Sequence, residues 1–348
     1  MTVDLAPYLD AVPDVVIDRL RAARRVLAVT HENPDADTIG ATLAMARVVE
    51  SLGGVADPVC TDPVPPLYGF MAGVERFRTD PVADAPYDLL VVSDCGTLER
   101  VGEVWARNRA LFDRLPRIVI DHHASNSAAG DADWVDPTAA ATCEMVALLV
   151  ARLGIPFSFG DGALASALMA GIVMDTATFA HPNATPRTLA VSAALVDAGA
   201  PLSDISRRLY RSKPEAQLRL FGRVLDRLES RDDGRVVWST LHDADLEATG
   251  TAAPHSEGII DLLAQADAAE VSILFKEAGP ATRISVRTKP GGVDATVLTG
   301  AFGGGGHARA AGATVPLPVE QARSAVLDEA VRLASRVDRS TSEPPPAR

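Results

Sequence analysis

The chain has 348 residues, 47% of them apolar, with 33 Lys and Arg against 46 Asp and Glu and a formal net charge of −13. At ~100–200 residues per domain this predicts two domains with sizeable cores, and the acidic balance argues against a protein that tracks long DNA or RNA with a basic surface. No run of ~18 apolar residues occurs, so no membrane span is expected. Three scattered cysteines (Cys60, Cys95, Cys143) rule out a disulfide framework or zinc ribbon. Together with an N-terminus that has no basic region before an apolar core, they predict a cytoplasmic protein.

In chain order, Arg25–Thr30, Val55–Cys60, Asp88–Ser93 and Arg117–Ile120 read as buried strands: short, β-branched and bounded by turn residues. Helical patterns lie between them at Thr38–Leu52, which ends at Gly53-Gly54, and at Val101–Leu115. This alternation predicts an α/β fold, a mostly parallel sheet flanked by helices. Helical stretches follow at Ala140–Leu153, Gly162–Met174 and Leu189–Lys213. The first domain is read as residues 1–202, a linker as 203–214, and a smaller α+β domain as 215–337, with the active-site cleft between the domains. Within the second domain Glu215–Glu229 and His255–Ala266 read as helices and Arg235–Leu241 as a strand. Val271–Lys276 and Arg283–Thr288 read as a β-pair, with helices at Asp294–Thr299 and Pro318–Val337. The Pro- and Ser-rich tail, 338–348, is expected to be disordered.

Acids and imidazoles gather where these elements end. His31, Asp35 and Asp37 follow the first strand as T-H-E-N-P-D-A-D-T-I-G; Asp94 follows DLLVVS; Asp121, His122 and His123 follow RIVI; Asp175 ends GALASALMAGIVM. In an open α/β sheet the ligand crevice lies beyond the carboxyl ends of the strands. So many acids ionise together at close range only when a cation neutralises them. Oxygen and imidazole donors without thiolate favour Mn²⁺ or Mg²⁺ over structural zinc, and the count serves two ions if one carboxylate is shared. Taken singly, each piece has a plainer reading: Asp37 is placed to cap the Thr38 helix, and Asp175 to be exposed at a helix end.

H-E-N-P-D-A-D-T-I-G-A, S-D-C-G, D-H-H-A-S-N and the Asp of V-M-D-T resemble, in order and spacing, the four motifs of the DHH phosphoesterase family. G-G-G-G-H-A-R-A-A-G at Gly303–Gly312 resembles the signature of the DHH-associated C-terminal domain. The closest resemblance is to the short branch of nanoRNases and pAp phosphatases, which in actinobacteria includes cyclic-di-AMP phosphodiesterases. Two positions depart from the family pattern, Thr30 before the first histidine and Ala41 after the glycine; neither is a ligand position. The resemblance implies a hydrolase with two Mn²⁺, with Mg²⁺ or Co²⁺ as substitutes. His31 and Asp35 would hold one ion, Asp37, His122 and Asp175 the other, and Asp94 would bridge them. Asp121 would orient an imidazole, and His123 would contact the scissile phosphate as an acid to the leaving oxygen.

Gly303–Gly306 allows close backbone approach to an anion, and His307 and Arg309 add donors; a flexible loop is the alternative. Of the run, Gly304, Gly305 and Gly306 are the expected contacts. Arg287, on the SVRT strand, is either a further phosphate contact or simply solvated. Expected substrates are oligoribonucleotides of about 2–5 nucleotides, 3′-phosphoadenosine 5′-phosphate, and cyclic or linear di-AMP, because an acidic surface repels long polyanions. No long DNA and no membrane is expected as a partner. A homodimer is expected from the family and from the apolar helix at Ala140–Leu153. The alternatives are a family II-like inorganic pyrophosphatase or exopolyphosphatase, whose Lys/Arg-rich C-terminal signature is missing, and a non-catalytic cyclic dinucleotide sensor, which would need a degraded ligand set.

Overall fold

Short apolar runs become strands in both halves of the chain. The computed structural model describes residues 3–126 and 130–342, which divide into one unit through Ser212 and a second from Lys213. The first begins with α1 (Asp14–Ala22), β1 (Arg25–Val29), α2 (Ala36–Ser51), β2 (Val55–Val59) and β3 (Leu89–Ser93). It continues with α3 (Glu103–Arg107), α4 (Arg109–Arg114), β4 (Arg117–Asp121), β5 (Ala132–Val135), α5 (Thr142–Arg152), α6 (Ala163–Asp175), α7 (Pro186–Asp197) and α8 (Leu202–Tyr210). The five strands are parallel, in the order β2-β1-β3-β4-β5, with Val26 opposite Leu89 and Leu90 opposite Arg117. Pro58 is tolerated because β2 is an edge strand.

Period-two alternation splits the strand side chains between two cores. Leu89 and Val91 of β3 face α1, α2 and α5–α8, whereas Leu90 and Val92 face α3 and α4 around Phe112. Each such side chain, fully buried, stabilises by about 1.5–3 kcal/mol. The sheet therefore carries helices on both faces, as the alternation predicts.

The second unit contains α9 (Glu215–Leu225), β6 (Glu229–Arg231), β7 (Val236–Leu241), α10 (Asp243–Thr249), α11 (Ile259–Leu263), β8 (Val271–Ala278) and β9 (Ala281–Thr288). It ends with α12 (Ala295–Gly300), β10 (Gly305–His307), β11 (Ala310–Val315) and α13 (Val319–Ser342). Its sheet runs β10-β11-β9-β8-β7-β6, with β7 and β8 parallel and every other neighbour pair antiparallel. Val271, Ile273 and Phe275 pack with α12 and α13, and Leu274 with α9 and α11. Among the described residues, no single helix is long and apolar enough to cross a membrane.

The structure revises several boundaries. Residues 203–210 are not linker: they belong to α8, whose Ile205 and Leu209 are buried in the first core. The Leu189–Lys213 helix breaks at Gly199, whose φ of 98° sits in the left-handed region. Gly258, at φ 89°, confines the His255–Ala266 helix to Ile259–Leu263. The last helix extends beyond Val337 to Ser342, since no proline stands before Pro344; residues 343–348 of the expected disordered tail lie outside the described residues. Thr142–Val150 of α5, taken in sequence for a dimer face, is wholly buried within the first unit, against α2 and α6.

Candidate metal centre

Strand order reverses between β1 and β3, which makes their carboxyl ends the binding crevice of this topology. Thr30 separates β1 from His31; Asp94 directly follows β3; Asp121 closes β4 and hands on to His122 and His123. Helices supply the rest. Asp35, not Asp37, caps α2: its Oδ1 accepts from Asp37 N (2.9 Å) and Thr38 N (3.1 Å). Asp37 is thereby free for another role in the first turn, and Asp175 is the last residue of α6.

These side chains converge. His31 Nε2 lies 3.9 Å from Asp35 Oδ2 and 3.7 Å from Asp94 Oδ2. His122 Nε2 lies 3.5 Å from Asp94 Oδ1 and 3.2 Å from Asp175 Oδ2. The sets His31/Asp35/Asp94, Asp37/His122/Asp175 and Asp94/His122/His123 each bring three potential ligand atoms within 4.8 Å of one another. His31 Nδ1 is 2.6 Å from Glu32 O and His122 Nδ1 is 3.4 Å from Ala139 O. Donating there fixes the tautomer that leaves Nε2 as the ligand atom. Asp121 serves the other histidine: its Oδ1 is 2.7 Å from His123 Nδ1, while its Oδ2 accepts from Asn126 (2.6 Å).

The electrostatics call for a cation. Burial and the charges of Asp94 and Asp175 push the Asp37 carboxyl well above its ordinary value. Burial, with Asp35 and Asp175, pushes Asp94 up to about 7. Burial also raises Asp175 and, taken alone, would lower His122; the hydrogen bond to Asp175 and the charges of Asp37, Asp175 and Asp94 instead push His122 up to about 10. Among the described residues these acids form ion pairs only with histidines, never with Lys or Arg. A divalent cation would supply the missing positive charge, and the oxygen and imidazole donors could hold one. Thiolates do not compete: burial and Asp37 push the Cys143 thiol well up, and burial pushes Cys95 to about 12.

Sequence reading missed the residues that hold this cluster. Asp37 takes backbone donors from the start of α5, Thr142 N to Oδ2 (2.7 Å) and Cys143 N to Oδ1 (2.9 Å). The Thr142 hydroxyl donates to Asp94 Oδ1 (3.0 Å). Gly171 is what lets α6 approach: a Cβ there would stand 2.4 Å from both Asp37 Oδ1 and Cys143 Sγ. Just past Asp175, Ala177, Thr178 and Phe179 are consecutively left-handed (φ 46°, 58° and 64°), at roughly 1–2 kcal/mol per residue. Nothing in the sequence singles out Gly171 or announces the left-handed turn.

In the second unit, the glycine run is not a free loop. Gly305–His307 is an exposed edge strand paired with Ala310–Val315, and Gly304 packs so closely that a Cβ would stand 2.2 Å from Gly312 O. Arg309 Nη1 braces the hairpin by donating to Lys289 O (2.7 Å) and Val293 O (3.2 Å). Arg287 pairs with Asp261 (3.0 Å). In the β8–β9 register Lys276 faces Arg283, and Ser272 faces Arg287, which puts all three cations on one side of the sheet. Burial and those two guanidiniums hold the Lys276 amine below its ordinary value. Lys276 and Arg283 went unread, though Arg283 stands four residues before Arg287 on one strand, which puts both on the same side.

The chain is similar to known proteins in sequence and in fold. Residues 25–172 match the DHH family, N-terminal domain, and residues 233–336 match the DHHA1 domain. The bifunctional oligoribonuclease and PAP phosphatase NrnA of Thermus thermophilus is 34% identical over 87% of this chain and 88% of its own. The protein of the same name from Bacillus subtilis is 25% identical over 82% and 87%. In fold, an exopolyphosphatase-related protein from Bacteroides fragilis superposes with a TM-score of 0.84 at 22% identity, covering 92% of this chain and 95% of that one. The chain therefore belongs to the DHH family, a DHH domain followed by a DHHA1 domain.

Proposed function

We propose that this member of a family of phosphate-ester hydrolases is a manganese-dependent enzyme of short nucleotides. Its substrates would be oligoribonucleotides of about 2–5 nucleotides, 3′-phosphoadenosine 5′-phosphate, and cyclic or linear di-AMP, long polyanions being repelled by a surface of this charge. The observation that carries the reading is Asp94, whose two oxygens face separate sets of ligand atoms, His31 with Asp35 on one side and His122 on the other. The names of the Thermus and Bacillus relatives support the substrate class.

In this reading His31 and Asp35 would hold one divalent ion, Asp37, His122 and Asp175 would hold the second, and Asp94 would serve both. Bound there, the pair supplies an acidified water and positive charge on the phosphoryl oxygens. The protein does the rest. The hydrogen bond to Asp121 raises the His123 imidazole and fixes its Nδ1. His123 then carries a proton at Nε2 for the leaving oxygen. His123 and Asn126 hold Asp121 below its ordinary value against the effect of burial, which keeps it an acceptor.

The DHHA1 unit would hold a second phosphate or nucleotide, through the glycine run at Gly304, Gly305 and Gly306, together with His307, Arg287 and Arg309. Lys276 and Arg283 extend that basic side. Three buried free cysteines suit a reducing cytoplasm. A Mn²⁺ panel of pAp, pApA, cyclic-di-AMP, pyrophosphate and RNAs from dinucleotide to long strand tests the reading. Fast turnover of the short nucleotides supports it. Pyrophosphate cleaved faster than pAp, or long RNA degraded as readily as a dinucleotide, overturns it.

A further inference from the structure

The first turn of α5 and the residues just before it touch Asp37 and His122, proposed ligands of one ion, and Asp94, proposed to be shared by both. Thr142 N and Cys143 N hold the two oxygens of Asp37, the Thr142 hydroxyl holds Asp94 Oδ1, and Ala139 O receives His122 Nδ1. The turn is itself anchored. Ala140 N donates to Glu144 Oε2 (3.3 Å), Glu144 pairs with Arg187, and Arg187 pairs with Asp136 (2.9 Å). Thr142 and Glu144 are fully buried.

The second dihedral of an aspartate side chain is broad and roughly two-fold, so it does not by itself fix the carboxylate plane. Asp94 needs that plane fixed, because Oδ2 faces His31 (3.7 Å) while Oδ1 faces His122 (3.5 Å). Apart from the imidazoles, the Thr142 hydroxyl is the one side-chain donor to this carboxylate among the described residues. From this geometry we infer that Thr142 is a positioning residue. It sets the rotation of Asp94, and so decides whether one carboxylate spans two cations. The donation falls on Oδ1 alone, so losing it affects chiefly the ion between Asp94, Asp37, His122 and Asp175. The inference rests on the two-cation reading proposed above.

The test is calorimetric titration of the metal-free protein with Mn²⁺, alongside the electron paramagnetic resonance signal of a spin-coupled manganese pair, in wild type, Thr142→Val, Thr142→Ala, Thr142→Ser and Asp94→Asn. Wild type should bind two ions and show the coupled signal. Thr142→Val and Thr142→Ala should bind the second ion about 10–100-fold more weakly and lose the coupling at low Mn²⁺, as outer hydrogen-bond partners of metal ligands typically do. Thr142→Ser, which keeps the hydroxyl, should restore both. Melting temperatures of the metal-free variants identify any that fail to fold, and the alanine and serine variants then carry the comparison. If Asp94→Asn loses an ion while the valine and alanine variants bind both as wild type does, the inference falls and the two-ion reading stands. A serine variant as impaired as valine also overturns it. Wild type binding fewer than two ions overturns the reading and the inference together.

Discussion

The two units of this chain use charge in opposite ways. In the DHH unit, Asp37 and Asp94 are buried, each gripped by hydrogen bonds from α5, and their neighbours are other acids. In the DHHA1 unit, Lys276, Arg283 and Arg287 share one side of the sheet, where Arg283 is exposed and Lys276 and Arg287 are half-buried. Buried like charges are costly until a counter-ion arrives, whereas exposed charges are screened and individually replaceable. Single substitutions should therefore be severe in the first unit and graded in the second.

The largest effect is expected from Asp94→Asn, which keeps shape and removes charge: turnover should drop to background while the protein stays folded. Retention of most activity with added Mn²⁺ would break the contrast at once. Next is Gly171→Ala. With Asp37 Oδ1 and Cys143 Sγ 2.4 Å and Asp37 Cα 2.9 Å from the new Cβ, α6 must shift, at about 1–3 kcal/mol, and metal affinity should fall with it. A melting temperature and manganese affinity equal to wild type would show that α6 need not sit so close.

The pH dependence sharpens the same contrast. Asp94 rises from 3.8 to about 7 in the fold. In the unfolded chain it ionises near its ordinary value, so between about pH 4 and pH 7 the metal-free protein loses stability as pH rises. Cation binding needs the ionised acids and strengthens over the same window. The gain in melting temperature on adding Mn²⁺ should therefore be small near pH 5 and grow toward neutrality; a gain independent of pH would contradict this. The smallest effect belongs to the second unit. Arg287→Ala, at a half-buried position paired with Asp261, should raise KM less than ~10-fold and leave kcat unchanged. A collapse of kcat would place Arg287 in the chemistry rather than in binding.

How much of this was legible follows from the same physics. The central strands β1, β3 and β4 were read correctly because both faces are buried, so each is a near-continuous apolar run. The acids were found because the carboxyl ends of such strands are where ligands go. β5 was missed because Ala132–Val135 is only four residues long and alternates buried with exposed. The glycine strand was missed because glycine carries no side-chain period, and only pairing with Ala310–Val315 makes it a strand. The plainer alternative for Asp37, a helix cap, falls to Asp35 instead, because D-x-D offers two acids and which one caps depends on where α2 begins. Thr142 could not be read as functional at all. Its contacts with Asp37 and Asp94 are 105 and 48 residues away in sequence, and an N-terminal helix threonine is ordinary by itself.

Anomalous scattering from crystals grown with Mn²⁺ tests the central claim most directly. The account predicts two manganese peaks in the DHH unit, one against His31 and Asp35, one against Asp37, His122 and Asp175, with the Asp94 carboxylate between them. A single peak, or none among these six side chains, would contradict it.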